Sequence, residues 1–144
     1  MKITKYEQSG FIFESDKGYK LAVDIGVYTP EDKLKDMGAD FMIVSHIHGD
    51  HFSIPHIKAV DPEKLFINSE CMESLGEEVI EADIQVIKSG DVVKFGDFGV
   101  TVFDVDHGPN VKVVPRENFG FLFEIDDKKV YFGGDIFYPS GIDV

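Results

Sequence analysis

The stretch Phe41-Met42-Ile43-Val44-Ser45-His46-Ile47-His48-Gly49-Asp50-His51-Phe52 decides how the rest of the chain is read. Its first four residues are a continuous apolar run, which predicts a strand buried on both faces. From residue 46 the chain reads His-x-His-x-Asp-His. From the composition of the chain this pattern is expected by chance roughly 6 × 10⁻⁴ times, so it requires a chemical reason. His46 and His48 stand two residues apart, so on an extended segment their rings point to one side. Two such imidazoles can grip one metal ion at about 2.0–2.1 Å. Gly49 is read as the residue that permits a tight turn. Asp50 and His51 then fall beyond the turn and can reach a second ion, as in two-metal hydrolytic sites with ions roughly 3.5–4 Å apart. A loop at the carboxyl end of a buried strand is also where α/β folds place their sites.

Outward from this stretch the pattern is mixed. Residues 2–7, 10–16 and 19–25 read as short strands. Thr29-Pro30-Glu31-Asp32 opens a helix that should stop at Gly38. Ser53 caps a short helix through about Val60, residues 64–68 form a strand, and Ser69 caps a helix ending near Gly76. Strands are expected next at 84–88, 91–95, 98–106, 119–125 and 129–133, the last two joined by a hairpin at Asp126-Asp127-Lys128. Strands, then strand–helix units, then strands again predict an α/β (α+β) fold of mixed sheets with helices outside, as a single domain over residues 1–144. The alternating Phe119, Phe121, Phe123 and Ile125 are read as core.

Composition excludes several classes. The 144 residues suffice for one core that buries roughly 70% of the unfolded surface. With 27 acidic and 14 basic residues, the net charge is −13, and Arg116 is the only Arg. Nucleic-acid binders need a basic footprint, so nucleic acid and anionic membrane surfaces are poor partners for this chain. Cys71 is alone and cannot form an intrachain disulfide. Neither a signal-like apolar run after Met1 nor an 18-residue apolar span is present, and the expected compartment is the cytoplasm.

Two distant residues complete a set with the motif. His107 sits at the end of strand 98–106, where a lone His is ordinarily a surface residue. Beside the motif it is read as the third imidazole on the first metal. Asp135 comes directly after Gly133-Gly134, a sequence that is also just a turn; with the motif it is read as a carboxylate bridging both ions. Asp104 and Asp106 flank His107 and could orient an imidazole, although surface carboxylates are the default. His56 is assigned to the helix after the motif and not to a metal. Arg116 is read as a solvated loop residue, with capture of a phosphate or carboxylate as the other option.

The residues His46-x-His48-x-Asp50-His51, His107 and Asp135 resemble the metallo-β-lactamase superfamily. Within it they are most similar to the zinc-dependent hydrolases that include ascorbate-6-phosphate lactonase-like enzymes. Val23-Asp24-Ile25-Gly26 resembles the early Asp-x-Gly strand end of that family, with Asp24 as a support and not a ligand. The resemblance implies an αββα sandwich with the site at one edge. It implies His46, His48 and His107 on metal 1, Asp50 and His51 on metal 2, and Asp135 between them. Zinc is the first expectation, and manganese or iron fits the same donors. It further implies a metal-bridged hydroxide acting on a small ester, lactone or phosphoester, with Asp50 as the catalytic group that orients the water and shuttles its proton. Di-iron members commonly carry a carboxylate where His48 stands, so His48 speaks for hydrolysis over redox chemistry. The family usually supplies a last His to metal 2 after the bridging Asp, and no His comes after His107 here. An incomplete second half is therefore expected, as a fragment, or as a short form completed by a homo-oligomer or another chain. The alternative function is a non-catalytic metal-binding or partner-completed remnant of such a hydrolase.

Overall fold

A computed structural model describes residues 1–109 and 111–137. The elements in chain order are β1 (Lys2–Lys5), β2 (Phe11–Glu14), β3 (Lys20–Val23), α1 (Glu31–Leu34), β4 (Phe41–Ile43), α2 (Ile54–Val60), β5 (Lys64–Ile67) and α3 (Ser69–Leu75). They continue with β6 (Asp83–Val86), β7 (Val92–Phe95), β8 (Phe98–Asp104), β9 (Phe119–Ile125) and β10 (Lys128–Phe132).

Two sheets result. The first has the order β1-β2-β3-β4-β5-β6 and the second β10-β9-β8-β7. In the first sheet β1, β2 and β3 pair antiparallel, and β3 through β6 pair parallel. The continuous apolar run at 41–44 has its reason here: successive residues serve different layers. Phe41 and Ile43 face the second sheet, where they join Phe66, Phe95, Phe98 and Phe121. Met42 and Val44 face the helices, where they join Leu34, Ile57, Cys71 and Leu75. The inter-sheet layer is largely aromatic, with Phe13–Phe123 and Phe66–Phe95 centroids at 5.1 and 4.4 Å. Full burial of each such ring contributes about 1.5–3 kcal/mol, so this layer is a main source of stability. The order of layers is helices, sheet, sheet. The fourth layer of the expected sandwich has no counterpart among the described residues.

Strand ends differ from the sequence reading by up to two residues, and the three helix caps differ in their partners. Asp126 and Asp127 both have positive φ (50° and 59°), which makes the tight hairpin that joins β9 to β10. Helix α1 is a single turn preceded by Pro30 and lacks a side-chain cap bond. Thr29 is instead buried, and its carbonyl accepts from His56. The chain leaves the helix at Lys35, three residues before Gly38. Asn68, not Ser69, caps α3 by accepting from the Cys71 N–H at 2.8 Å. Ser69 donates to Glu117. Ser53 does precede α2, but its hydroxyl bonds the His56 ring and not the helix backbone. No helix among the described residues is long and apolar enough to cross a membrane.

Candidate metal centre

The carboxyl ends of four strands meet at one edge of the sandwich. Asp24 comes after β3, Ser45 to His51 after β4, His107 after β8, and Asp135 after β10. Backbone bonds fix this convergence: Phe119 N–H donates to the Ser45 carbonyl at 3.1 Å, and Gly108 N–H to the Asp135 carbonyl at 3.2 Å. An isolated bridge pairs His107 with Ile136. Gly134 adopts a left-handed φ of +57°, and a Cβ there would press on the Phe119 carbonyl and Ser45 hydroxyl, both at 3.3 Å. Only Gly brings Asp135 in this way.

Each of four imidazoles has one ring nitrogen engaged by the protein. His46 Nδ1 lies 2.9 Å from Ser45 Oγ, and His51 Nδ1 lies 2.7 Å from Asp24 Oδ2. His48 Nε2 lies 2.7 Å from the Val113 carbonyl, and His107 Nδ1 lies 2.9 Å from the Gly108 carbonyl. The opposite nitrogens turn inward. His46 Nε2 and His48 Nδ1 are 3.1 Å apart, against about 3.3 Å for two nitrogens on one tetrahedral zinc at ordinary bond lengths. His51 Nε2 and His107 Nε2 are buried without a hydrogen-bond partner. Asp135 sends one oxygen toward each, Oδ1 at 3.3 Å from His51 Nε2 and Oδ2 at 3.7 Å from His107 Nε2. Imidazoles held at one nitrogen and bare at the other are the arrangement metal ligation requires. Two groups of donors could each hold an ion: His46, His48, His107 and Asp135, and Asp50, His51 and Asp135, the atoms of each lying within 4.8 Å of one another.

The electrostatics of this pocket are strained when only protons fill it. Burial pushes His46 down to about 2, with the His51 and His48 charges acting in the same direction. Burial also works against a charge on His51, but the nearby Asp135 carboxylate and the Asp24 carboxylate on its Nδ1 overcome it and raise the group to about 10. The His51 ring beside it holds the Asp135 carboxyl below its ordinary value. A single proton on His51 therefore sits where a divalent cation would also satisfy Asp50 and Asp135.

All six residues singled out from the sequence come together here, while the readings of Gly49 and Arg116 change. Gly49 has no positive φ, and a Cβ on it would meet nothing within 4 Å, so the turn does not demand glycine. The demanding position is Gly26, where a Cβ would fall 2.0 Å from the Asp50 carbonyl carbon. Asp24 is fully buried and accepts from the Ser45 N–H at 2.7 Å and the Ser45 hydroxyl at 2.6 Å, as well as facing His51. Ser45 went unnoticed in the sequence, yet its hydroxyl links Asp24 to His46. His56 bonds Ser53 and the Thr29 carbonyl and takes no part. Arg116 pairs with Glu70 and Glu73 on α3. His107 donates through Nδ1 to the Gly108 carbonyl, not to Asp104 or Asp106. A larger cavity, about 610 Å³, lies at the β9–β10 turn among Lys17, Asp97, Asp126 and Lys128, remote from every candidate ligand.

A family described as Beta-lactamase superfamily domain matches residues 2–143. No curated protein matches the chain. Among solved structures, the fold is similar to a protein of Parabacteroides distasonis ATCC 8503 provisionally described as a metal-dependent hydrolase (21% identity, TM-score 0.73, 93% of this chain and 60% of that one). It is similar to the isothiocyanate hydrolase from Delia radicum gut bacteria (19% identity, TM-score 0.70, 96% and 64%). It is also similar to CmlA, a diiron beta-hydroxylase from Streptomyces venezuelae (13% identity, TM-score 0.68, 93% and 29%). At these identities the likeness is one of fold, and the chain spans less than two thirds of each of these structures.

Proposed function

The chain belongs to the beta-lactamase superfamily, and from that premise we propose a metal-dependent hydrolase of a small ester, lactone or phosphoester. The observation that carries the reading is the pair of buried, unpartnered nitrogens, His51 Nε2 and His107 Nε2, each facing its own oxygen of Asp135. In this reading His46, His48 and His107 hold one ion, Asp50 and His51 hold a second, and Asp135 touches both. Zinc is the metal proposed, on donors that also suit manganese and iron. Bound divalent ions supply Lewis acidity and acidify a coordinated water toward neutral pH.

The chain's own residues set the rest. Ser45 and the carbonyls of Val113 and Gly108 fix the orientation of His46, His48 and His107, and Asp24 fixes His51. Asp50 is partly exposed, with Oδ2 3.5 Å from His51 Nε2. It is the group assigned to orient a water and accept its proton at Oδ2. The Asp50, His51 and Asp135 group offers three protein donors, which leaves room for solvent, for substrate or for a ligand from a completing chain. The lone buried thiol of Cys71 supports a reducing, cytoplasmic setting as part of the same proposal.

The test is metal counting by mass spectrometry, with turnover of bis(p-nitrophenyl) phosphate and p-nitrophenyl acetate. Two ions per chain with turnover is the expected result, and His48→Ala should lose at least one ion. Unchanged stoichiometry in that variant refutes the assignment. Two ions without turnover favours the partner-completed, non-catalytic reading.

A further inference from the structure

A cavity of about 320 Å³ opens beside the metal centre, lined by His51 and Asp135 on one part and by Lys5, Gln8, Phe11 and Phe132 on another. Its size is at the low end of small-molecule sites, roughly 300–1,000 Å³. The turn between β1 and β2 forms part of its wall and is fastened to the motif. Ser9 Oγ donates to the Asp50 carbonyl at 2.5 Å, and Gln8 Nε2 to Asp50 Oδ2 at 3.5 Å. Gln8 holds a left-handed φ of 58°, and Tyr6 N–H closes the turn on the Gly10 carbonyl at 2.8 Å. The wall is thus set in register with a candidate ligand.

Among the described residues Lys5 is the only lysine or arginine that lines the cavity. In this acidic chain Lys2, Lys17, Lys58 and Lys64 each pair with a carboxylate. Among the described residues Lys5 does not. Its ammonium lies 4.7 Å from the centroid of the Phe11 ring and donates to the carbonyls of Tyr6 and Gln8. Those neutral partners leave its charge unbalanced beside a cavity whose opposite part is built for cations. Phe11 and Phe132 meet edge to face at 5.5 Å and 80°, which gives the cavity an apolar side.

We propose that this cavity binds the substrate through an anionic group, carboxylate or phosphate, held by Lys5, with an apolar arm against Phe11 and Phe132. The inference rests on the hydrolase reading only for the reaction at the His51–Asp135 end. Lys5 belongs to neither group of candidate metal ligands, so an anion held there anchors the substrate without being the group attacked. Lys5 is a binding residue in this scheme, and Gln8 positions the turn.

The test uses the metal-loaded full chain and three non-hydrolysable probes of one shape: benzylphosphonate, phenylacetate and neutral phenylacetamide. Calorimetry or NMR titration should show both anions binding and the amide binding up to about fivefold more weakly, the upper end for one exposed ion pair. The tighter anion identifies the substrate's charged group. Lys5→Met should remove about fivefold of the anion affinity, and Lys5→Arg should retain it. Equal affinity of the anions in a folded Lys5→Met protein overturns the proposal. Should Lys5→Met fail to fold, the Lys5 side-chain resonances of the wild type decide. They shift on adding benzylphosphonate and not on adding phenylacetamide if Lys5 is the anchor, and equal or absent shifts overturn the proposal. Lys5-dependent anion binding in a chain that takes up no metal sinks the hydrolase reading alone. Lys5-independent binding in a chain with two ions sinks this proposal alone.

Discussion

In the proposed two-ion centre, Gly26→Ala should strip one ion and leave the other. A Cβ at residue 26 would lie 2.0 Å from the Asp50 carbonyl carbon, 2.1 Å from its oxygen and 2.5 Å from the His51 nitrogen, where ordinary contact begins at 3.4 Å. The difference for the closest atom is about 1.4 Å, and every clashing atom is backbone, so no rotamer change relieves it. The loops are also tied together, since Val27 N–H donates to the Gly49 carbonyl at 2.9 Å. Metal–ligand distances tolerate about 0.2 Å, so even a displacement shared among several residues removes Asp50 and His51 from their positions. Overpacking costs typically 1–3 kcal/mol. A rigid clash belongs at the upper end, about 3 kcal/mol, which lowers the melting temperature by roughly 6–12 °C for a domain of this size. The assay is metal content after dialysis together with melts run with and without chelator. Gly49→Ala is the control, because its added Cβ meets nothing within 4 Å, and it should melt within ~0.5 kcal/mol of wild type. A Gly26→Ala protein that keeps two ions and melts with the wild type would refute the reasoning.

Ser45→Ala removes the hydroxyl shared by Asp24 and His46, which should cost about 1–3 kcal/mol in urea unfolding and about 10–100-fold in metal affinity by chelator competition; wild-type affinity would show that the hydroxyl does not orient His46. Stability of the chelator-treated chain should peak near pH 6.5, the ordinary His value. His51, raised to about 10, contributes stability that is complete below 6.5 and is lost as pH climbs through 10. His46, lowered to about 2, contributes stability present above 6.5 and lost as pH falls toward 2. Asp135, held below its ordinary value, adds to the loss only at the acid end. Urea midpoints that rise or fall steadily from pH 4 to 10 would contradict this. Metal uptake at pH 8 must displace the His51 proton, so calorimetry in buffers of different ionisation enthalpy should report release of about one proton per chain; heats independent of buffer would place that proton elsewhere.

How much of the fold and site was legible in the sequence depended on how local each signal is. The strands announced themselves because β3, β4 and β9 alternate or run apolar for one or two buried faces, and neither pattern depends on a distant partner. The six candidate ligands were found because three His and an Asp at that spacing seldom crowd together without a cation to hold. Ser45 was missed because a serine before a histidine is unremarkable until the end of β3 brings Asp24 to within 2.6 Å of its hydroxyl. Gly26 was quoted within a motif, but its necessity comes from a segment 24 residues later in the chain, and no local rule states which segment that is. Gly49 drew the opposite error: glycine in a turn suggests a backbone requirement, and the backbone there has none. Asn68 and Ser69 are both good caps, and the choice was settled by Glu117, which takes the Ser69 hydroxyl.

The site also bears on how the two sheets stay together. His46, His48 and His51 hang from the first sheet, while His107 and Asp135 hang from the second. The aromatic layer joins the sheets through their middle, but at this edge the described contacts across the gap include imidazole and carboxylate groups with buried, unsatisfied nitrogens. Such atoms cost about 1–3 kcal/mol each when left bare. Metal binding would remove that cost and connect the sheets at the same point. Occupancy therefore adds to stability as RT ln(1 + [M]/Kd), about 2.7 kcal/mol at a hundredfold excess over Kd. That stabilisation would fall on the edge where the two sheets meet, so the loops after β4, β8 and β10 should gain more protection from amide exchange on metal addition than the interior of either sheet.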